Sequence, residues 1–94
     1  MSASSPISLD IRRKRLRFRA WHRGTREADL LFGGFADRHV GEMDGDQLSR
    51  LEELLEVADA DLYDWTIGRS PVPPEFDHDV MALLRAFRLA APAS

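Results

Sequence analysis

Three histidines are the only imidazole side chains in this sequence of 94 residues, and no cysteine accompanies them. His22, His39 and His78 lie far apart, without the i, i+4 pairing that places two zinc ligands on one face of a helix. The absence of cysteine also excludes disulfides, thiolate zinc sites and cysteine nucleophiles. We therefore expect no metal-binding residues.

Carboxylates and glycines are the other candidates for chemistry. None of the 16 acidic side chains lies on an apolar stretch, where desolvation would raise its pKa into the range useful for general acid or base catalysis. Gly33 and Gly34 precede Phe35 without the strand, the glycine spacing or the lysine of a phosphate-binding loop. The sequence therefore predicts no catalytic or cofactor-binding residue and argues against an enzyme.

Charge is divided between two segments of the chain. The net charge is −3, yet eight of the 13 basic residues fall between Arg12 and Arg26, and nine of the 16 acidic residues fall between Glu42 and Asp64. Such segregation is typical either of a surface that meets a charged partner or of two solvated faces. Composition alone leaves both interpretations open.

The basic segment raises one alternative function, which is a small nucleic-acid-binding or antitoxin-like regulatory protein. Eight cations within 15 residues would attract phosphates strongly and with a steep salt dependence. Against this, the pI is about 5.5, and the acidic segment would repel the same polyanion unless it pointed away. We expect no nucleic-acid partner and keep the alternative for testing.

Length and composition limit the architecture that must position these residues. A chain of this length forms one domain and has little core to spare for a deep cavity. With 44% hydrophobic and 31% charged residues, it has the composition of a soluble globular protein. No apolar run approaches the roughly 20 residues that cross a bilayer, so we expect no membrane partner. Because Asp10 interrupts the basic start, we interpret that segment as part of the domain rather than as a targeting sequence.

Two helices are predicted in the first half of the chain. Ser8 is suited to cap a helix from about Leu9 to His22, and Gly24 then breaks the pattern. Thr25 is suited to cap a second helix. Its apolar residues recur at helical spacing and are Ala28, Leu31, Phe32 and Phe35. The Gly33-Gly34 pair weakens its middle, where we expect a bend or a close helix contact.

A third helix has the most regular pattern. Gly41 is expected to end the second helix, and Asp44 with Gln47 forms a capping-box pattern for a helix that continues to about Ala58. Its predicted apolar stripe consists of Leu48, Leu51, Leu55 and Ala58.

Two shorter helices complete the prediction. Asp59 is expected to cap a fourth helix from Ala60 to Ile67, which Gly68 ends. A stiff and extended linker should follow, because it contains Pro71, Pro73 and Pro74. Asp77 is expected to cap the fifth helix. Its inward residues should be Val80, Leu83, Leu84 and Phe87.

The predicted fold is all-α, a compact five-helix bundle. A single helical domain would span residues 9–88, between flexible tails at residues 1–8 and 89–94. The helical spacing of Tyr63, Trp65 and Phe87 favours core packing. Phe18 and Trp21 lie among cations and are candidate interface anchors.

The most informative segment is Arg23-Gly24-Thr25-Arg26-Glu27, an R-G-x-x-E pattern at the junction of the first two helices. Alone it is a weak signal, because two fixed charges and a glycine recur by chance. A Gly-to-Pro turn and the final helix follow a series of flanking segments, which are Arg13-Lys14-Arg15-Leu16, Asp29-Leu30-Leu31, Phe35-Ala36-Asp37, Leu54-Leu55 and Asp61-Leu62-Tyr63-Asp64-Trp65. This ordered series resembles the succinate dehydrogenase assembly factor 2 (flavinator) family across about residues 12–88.

The resemblance implies a helical assembly factor, a chaperone that binds the flavoprotein subunit of succinate dehydrogenase and in bacteria sometimes that of fumarate reductase. The factor would promote attachment of FAD to a histidine of that subunit and would hold no cofactor stably itself. It would act as a monomer, in the cytoplasm of a bacterium or the mitochondrial matrix of a eukaryote.

The resemblance also implies a partner-binding surface. In the family the R-G-x-x-E segment forms the contact surface, which carries over here to Arg23, Gly24 and Glu27, with Thr25 and Arg26 at the variable positions. The neighbouring charged residues assigned to the same surface are Arg15, Arg19, Arg26 and Asp29.

Each fixed residue of the pattern also has a physical rationale. Gly24 permits a tight turn and lets a partner backbone come close, since it has no Cβ. Arg23 offers a planar fork of donors that suits a carboxylate or a pair of carbonyls. Glu27 lies in the first turn of a helix, where it suits the macrodipole and is placed to orient Arg23 or meet a partner cation. The alternative is a capping salt bridge worth less than about 1 kcal/mol.

Overall fold

Five α-helices form the protein in a computed structural model that describes residues 8–90. They are α1 (Leu9–Trp21), α2 (Arg26–His39), α3 (Gly45–Glu56), α4 (Asp59–Ile67) and α5 (Asp79–Ala90), with short 3₁₀ turns at Val40–Glu42 and Pro74–Phe76. Residues 8–90 contain no strand, and the all-α, five-helix prediction is confirmed. No helix in this range is long and apolar enough to span a bilayer.

Three helices begin at the predicted caps. The Ser8 Oγ accepts a hydrogen bond from the Ile11 backbone N–H at 3.2 Å, and the Thr25 Oγ1 accepts one from the Ala28 backbone N–H, also at 3.2 Å. At α3 the capping box is complete: the Asp44 carboxylate accepts the Gln47 N–H at 2.8 Å, and the Asp44 N–H donates to the Gln47 side chain at 3.0 Å. Each cap satisfies backbone donors that a helix start would leave unpaired.

The junction between α3 and α4 differs from the prediction. Helix α3 ends at Glu56 rather than Ala58, and Ala58 is exposed instead of completing the apolar stripe. Asp59 does not cap α4, because it is the first helical residue and its carboxylate is bound by Arg23. The N-cap position of α4 is therefore Ala58, which has no side chain that can cap the helix. The long-range ion pair between Arg23 and Asp59 thus takes the place of the predicted local cap.

Two further boundaries were predicted wrongly. Helix α2 ends at His39, and Gly41 lies inside the following 3₁₀ turn, where the Arg13 guanidinium bonds the Val40 and Met43 carbonyl oxygens at 3.1 and 2.9 Å. Asp77 does not cap α5; the Met81 N–H donates instead to Nδ1 of His78 at 3.2 Å. His78 thus provides the cap.

The proline linker is not extended throughout, because Pro74–Phe76 forms a 3₁₀ turn that brings the Phe76 ring to 5.3 Å from the Trp65 ring. This aromatic contact favours the folded turn over an extended linker. The predicted tails lie outside the described residues, apart from Ser8, which caps α1, and residues 89–90, which continue α5.

A single core draws on all five helices. Leu16, Phe32, Leu51, Leu62 and Leu84 are each at most 2% exposed. Leu54, which the predicted stripe of α3 left out, is also fully buried. Tyr63, Trp65, Leu83 and Phe87 are partly buried against this core, in agreement with their predicted packing role. Helix α1 packs on α2 and α3, and α5 closes the other side against α2, α3 and α4.

Helices α1 and α2 approach each other closely at Gly33. The Trp21 indole lies on this glycine, and its Nε1–H donates to the Asp37 carboxylate at 3.2 Å. A Cβ at position 33 would overlap the indole ring. Of the two predicted outcomes for the glycine pair, the close contact is therefore present at Gly33. It fixes the end of α1 that leads into the R-G-x-x-E segment.

Gly33→Ala is expected to destabilise the protein by about 1–3 kcal/mol, the usual cost of overpacking, although alanine favours a helix by about 1 kcal/mol over glycine. The added methyl must displace Trp21, whose indole is held by its hydrogen bond to Asp37. Urea denaturation followed by tryptophan fluorescence measures the change.

The matched control is Gly34→Ala. A Cβ there would lie 3.3 Å from the Cζ tip of Phe87, a side chain that is only partly buried. This variant should be as stable as the wild type or slightly more stable, owing to helix propensity. Equal unfolding midpoints for Gly33→Ala and Gly34→Ala would contradict the assigned role of Gly33.

His39 is enclosed by aromatic rings at the end of α2. Its ring centre lies 4.8 Å from that of Phe35 and 6.2 Å from that of Phe87. Desolvation by this burial lowers the pKa of His39, and the positive charge of Arg38 lowers it further, whereas Glu42 opposes the shift. The neutral imidazole is therefore the form that this packing favours.

Stability should fall as the pH is lowered below the unfolded-state histidine pKa of about 6.5. The unfolded chain binds a proton at His39 more readily than the folded chain does. The neutral His39 side chain therefore makes its full contribution to folding stability above that pH, and this contribution is lost as the pH falls through the folded-state pKa. Urea unfolding at several pH values measures the free energy of unfolding. This free energy should decline less steeply with falling pH in both His39→Gln and His39→Phe than in the wild type. An unchanged slope in both variants would contradict this assignment.

Candidate functional site

The R-G-x-x-E segment spans the turn between α1 and α2 and the first two residues of α2. Gly24 has a φ of +115°, a conformation that side-chain-bearing residues rarely adopt. Asp29 fastens this turn, because its Oδ1 accepts the backbone N–H of Arg23 at 2.6 Å and that of Gly24 at 3.3 Å. Asp29, predicted at the partner surface, thus holds the turn backbone in place from the first helical residues of α2.

Arg23 points into the protein. Its side chain is 9% exposed, and its Nε donates to the Asp59 carboxylate at 2.8 Å. Its Nη1 donates to the Leu55 carbonyl oxygen at 2.8 Å, and its Nη2 to that of Val57 at 3.3 Å. The fork therefore binds a carboxylate and two carbonyls, as its chemistry predicts, but all three belong to the same chain.

The two charged segments of the sequence face each other across the bundle. Arg12 pairs with Glu52 at 2.9 Å, Arg19 pairs with Glu56 at 2.6 Å, and Arg23 pairs with Asp59. The residue numbers of the basic and acidic partners increase together, so α1 runs in the same direction as α3. The segregated charges therefore neutralise each other in part, which also reduces the cation density available to a nucleic acid.

Three predicted surface residues remain open to solvent. Arg15, Arg26 and Glu27 are exposed, and none of them makes an ion pair or a side-chain hydrogen bond with any other residue in the range 8–90. Gly24 is exposed beside them. Glu27 does not orient Arg23; Asp29 and Asp59 do so instead.

A shallow depression lies on each side of the turn. The first has a volume of about 650 Å³ and is lined by Trp21, His22, Gly24, Thr25, Arg26, Asp29 and Leu30. The second has a volume of about 530 Å³ and is lined by Thr25, Glu27, Ala28, Asp59, Ala60, Tyr63 and Asp64. The turn is thus a ridge with a largely apolar hollow on one side, where Arg26 and Asp29 both lie, and an acidic hollow on the other.

The structure brings most of the predicted site residues together. Arg23 and Gly24 lie in the turn, and Arg26, Glu27 and Asp29 lie in the first turn of α2 beside it, whereas Arg19 and Arg15 follow α1 away from it. Arg19 is engaged with Glu56 at the protein surface. The predicted site residues thus fall into two groups: those that hold the turn in place and those that are exposed to solvent.

Sequence reasoning missed Asp59 as the partner of Arg23. The available signal was only the acidic character of the segment, because Asp59 begins α4 and does not lie on the helix α3 that carries Glu52 and Glu56. Leu30 was also missed as a surface residue, although it is 52% exposed. No group of three metal-ligating side chains occurs within residues 8–90.

Comparison with known proteins shows that the chain, including this turn, matches a known family. The sequence model of the family described as "Flavinator of succinate dehydrogenase" matches residues 14–88, which include the whole R-G-x-x-E segment. The "FAD assembly factor SdhE" of Acetobacter pasteurianus is 47% identical over 85 residues, covering 79% of this chain and 78% of that protein.

Mitochondrial relatives are more distant and longer. "Succinate dehydrogenase assembly factor 2, mitochondrial" of Drosophila grimshawi is 35% identical over 79 residues, covering 82% of this chain and 54% of that protein. The protein of the same name from Aedes aegypti is 34% identical over 79 residues, with 49% of its length covered. The chain spans about half the length of these mitochondrial relatives. By its family match and its bacterial relative, the chain belongs to the flavinators of succinate dehydrogenase, a family of assembly factors rather than enzymes.

Proposed function

We propose that this protein binds the flavoprotein subunit of succinate dehydrogenase through the turn between α1 and α2 and promotes covalent attachment of FAD to that subunit. The observation that carries the proposal is the turn itself, which exposes Gly24 and Glu27 on a ridge held from within by Arg23 and Asp29. Family membership supports the same partner.

The proposed mechanism is conformational. The protein docks on the flavoprotein subunit and holds the flavin and the acceptor histidine of that subunit in a reactive arrangement, so that the partner performs its own chemistry. Positioning of this kind can supply a large share of a reaction barrier. In this scheme FAD is attached to the partner, and the assembly factor keeps no cofactor stably bound.

The proposal extends to client, oligomeric state and compartment. The flavoprotein subunit of fumarate reductase is a second client, and the factor acts as a monomer. The site of action is the cytoplasm of a bacterium, or the mitochondrial matrix for a eukaryotic chain. A bacterial relative and several relatives named as mitochondrial support these two compartments.

Within the pattern, Arg23 and Glu27 have separate roles in this proposal. Arg23 is a positioning residue that ties the turn to the α3–α4 junction through Leu55, Val57 and Asp59. Glu27 is a contact residue whose exposed carboxylate meets a donor or a cation of the partner. Gly24 leaves the ridge low enough for a partner backbone to approach.

Arg23→Ala should lower the free energy of unfolding by about 2–4 kcal/mol, because it leaves the Asp59 carboxylate and two carbonyl oxygens without their donors. Arg23→Lys should recover only part of this loss, since a point charge cannot replace three directed donors. Urea denaturation measures both variants.

Glu27→Gln is the matched variant for that experiment. Its side chain is exposed, so its stability should stay within about 0.5 kcal/mol of the wild type. Equal stability of Arg23→Ala and Glu27→Gln would contradict the division between an internal and an external charge.

Co-expression with the flavoprotein subunit should raise the covalently bound flavin, which is read as in-gel fluorescence after denaturing electrophoresis. Glu27→Ala and Gly24→Arg should reduce that band at least about tenfold, because one removes a charged contact and the other raises the ridge. Glu75→Ala, an exposed acid in the 3₁₀ turn before α5, is the control and should behave as the wild type. A band that is the same with and without the wild-type factor would refute the proposed function.

A further inference from the structure

An exposed apolar surface continues from the turn along the outer side of α1. Phe18 is 65% exposed, and Leu30 of α2 is 52% exposed on the far side of the first depression. His22 lies between them, lining that depression and stacking on Phe18. We call the surface formed by Arg15, Phe18, His22, Arg26 and Leu30 the lateral patch. It adjoins the ridge, and neither the internal packing nor the three fixed residues of the R-G-x-x-E pattern account for it.

The aromatic part of the lateral patch is held in place before any partner arrives. The Phe18 and His22 ring centres are 4.0 Å apart with an interplanar angle of 22°. The His22 Nδ1–H donates to the Phe18 carbonyl oxygen at 2.6 Å, which fixes the imidazole at the end of α1. A side chain that is already ordered loses less conformational entropy on binding, so this stack suits an interface anchor.

The floor of the depression beside the Phe18–His22 stack is also held in place. Trp21 lies against Gly33 and donates to Asp37, and the turn backbone above it is bound by Asp29. The depression of about 650 Å³ between His22 and Leu30 therefore has one fixed side, formed by Trp21, His22 and the turn backbone. It has room for one or two apolar side chains.

The charges around the lateral patch define its partner. Arg15 lies three residues before Phe18 on the same helical face, and Arg26 lines the depression. Neither forms an ion pair within residues 8–90, whereas Arg12, Arg19 and Arg23 are neutralised by acids of this chain. Asp29, the acid among the residues lining the depression, is engaged by the turn backbone, and Asp37 is engaged by Trp21. The lateral patch is thus apolar at its centre and positive at its rim.

This charge pattern disfavours two other occupants. A symmetric contact between two copies would bring the unpaired arginines of both copies into one interface, which is repulsive. A nucleic acid would meet a rim with few free cations, on a protein whose net charge is −3.

We propose that the lateral patch is a second docking surface, which receives an acidic segment of the flavoprotein subunit that carries an apolar or aromatic anchor residue. The anchor enters the depression between His22 and Leu30 and packs on Phe18, and the flanking acids meet Arg15 and Arg26. This inference rests on the proposed function and assigns most of the binding affinity to the lateral patch, while the ridge positions the reacting groups.

The test measures binding of the purified flavoprotein subunit by biolayer interferometry, together with covalent flavin in the co-expression assay. Phe18→Ser and Leu30→Ser should each raise the Kd at least about tenfold. Leu89→Ser is the matched control, because Leu89 is 75% exposed on α5, away from the lateral patch, and should leave the Kd within about twofold. Melting temperatures of all three variants confirm that each is folded.

The charged rim has its own comparison. Arg15→Glu should slow association and flatten its dependence on salt, whereas Arg88→Glu, an exposed residue of α5, should change neither. Association rates at several salt concentrations measure this difference.

The outcomes separate the two proposals. If the wild type raises covalent flavin but Phe18→Ser and Leu30→Ser bind as tightly as Leu89→Ser, the lateral patch is refuted and the proposed function stands. If the wild type neither binds the flavoprotein subunit nor raises covalent flavin, both proposals fail. Binding of duplex RNA or DNA that Arg15→Glu abolishes, with flavoprotein binding unchanged, would also overturn the lateral patch.

Discussion

The position of the exposed turn depends on one buried guanidinium. Arg23 reaches from the turn between α1 and α2 to the place where α3 ends and α4 begins, and there it binds two carbonyl oxygens and the Asp59 carboxylate. The end of a helix leaves carbonyl groups unpaired, and burial makes such groups costly. One side chain therefore satisfies the end of α3, neutralises an acid at the start of α4 and fixes the ridge. The Phe32 ring, whose centre is 6.0 Å from the guanidinium carbon, adds an apolar face to the same cation.

This arrangement couples the geometry of the site to the packing of the bundle. The two charged segments meet along α1 and α3, but the outer pairs differ from the inner one: Arg19 and Glu56 are 36% and 74% exposed, whereas Arg23 is 9% exposed. Exposed pairs contribute little to stability, so the register of α1 on α3 depends mainly on the core leucines. The buried pair has many directed bonds and specifies where the turn lies. A shift of α4 would therefore move the ridge as well.

Local signals in the sequence predicted much of this fold, and long-range contacts decided the rest. The caps at Ser8, Thr25 and Asp44 were predictable because each cap bonds a residue three positions ahead. The predicted caps at Asp59 and Asp77 failed because Arg23 occupied the first acid and His78 replaced the second. The R-G-x-x-E segment could be found from the sequence, but the inward direction of Arg23 could not, since it depends on how α1 lies against α3. The exposure of Phe18 and Leu30 likewise depends on which helix faces remain uncovered after packing.

Gly24 shows how the site can be specific without a deep cavity. A Cβ at this position would have no atom of the described chain within 4 Å, so internal crowding does not require glycine there. Two other constraints do. The φ of +115° is unfavourable for a side chain, and any side chain would project from the ridge between the two depressions. The backbone of the turn is therefore itself a surface that a partner can contact, with Glu27 on the side of the acidic depression and Arg26 on the side of the apolar one. A partner that fits both sides must present opposite charges in a fixed order, and a rigid ridge of this kind can orient it by surface complementarity alone.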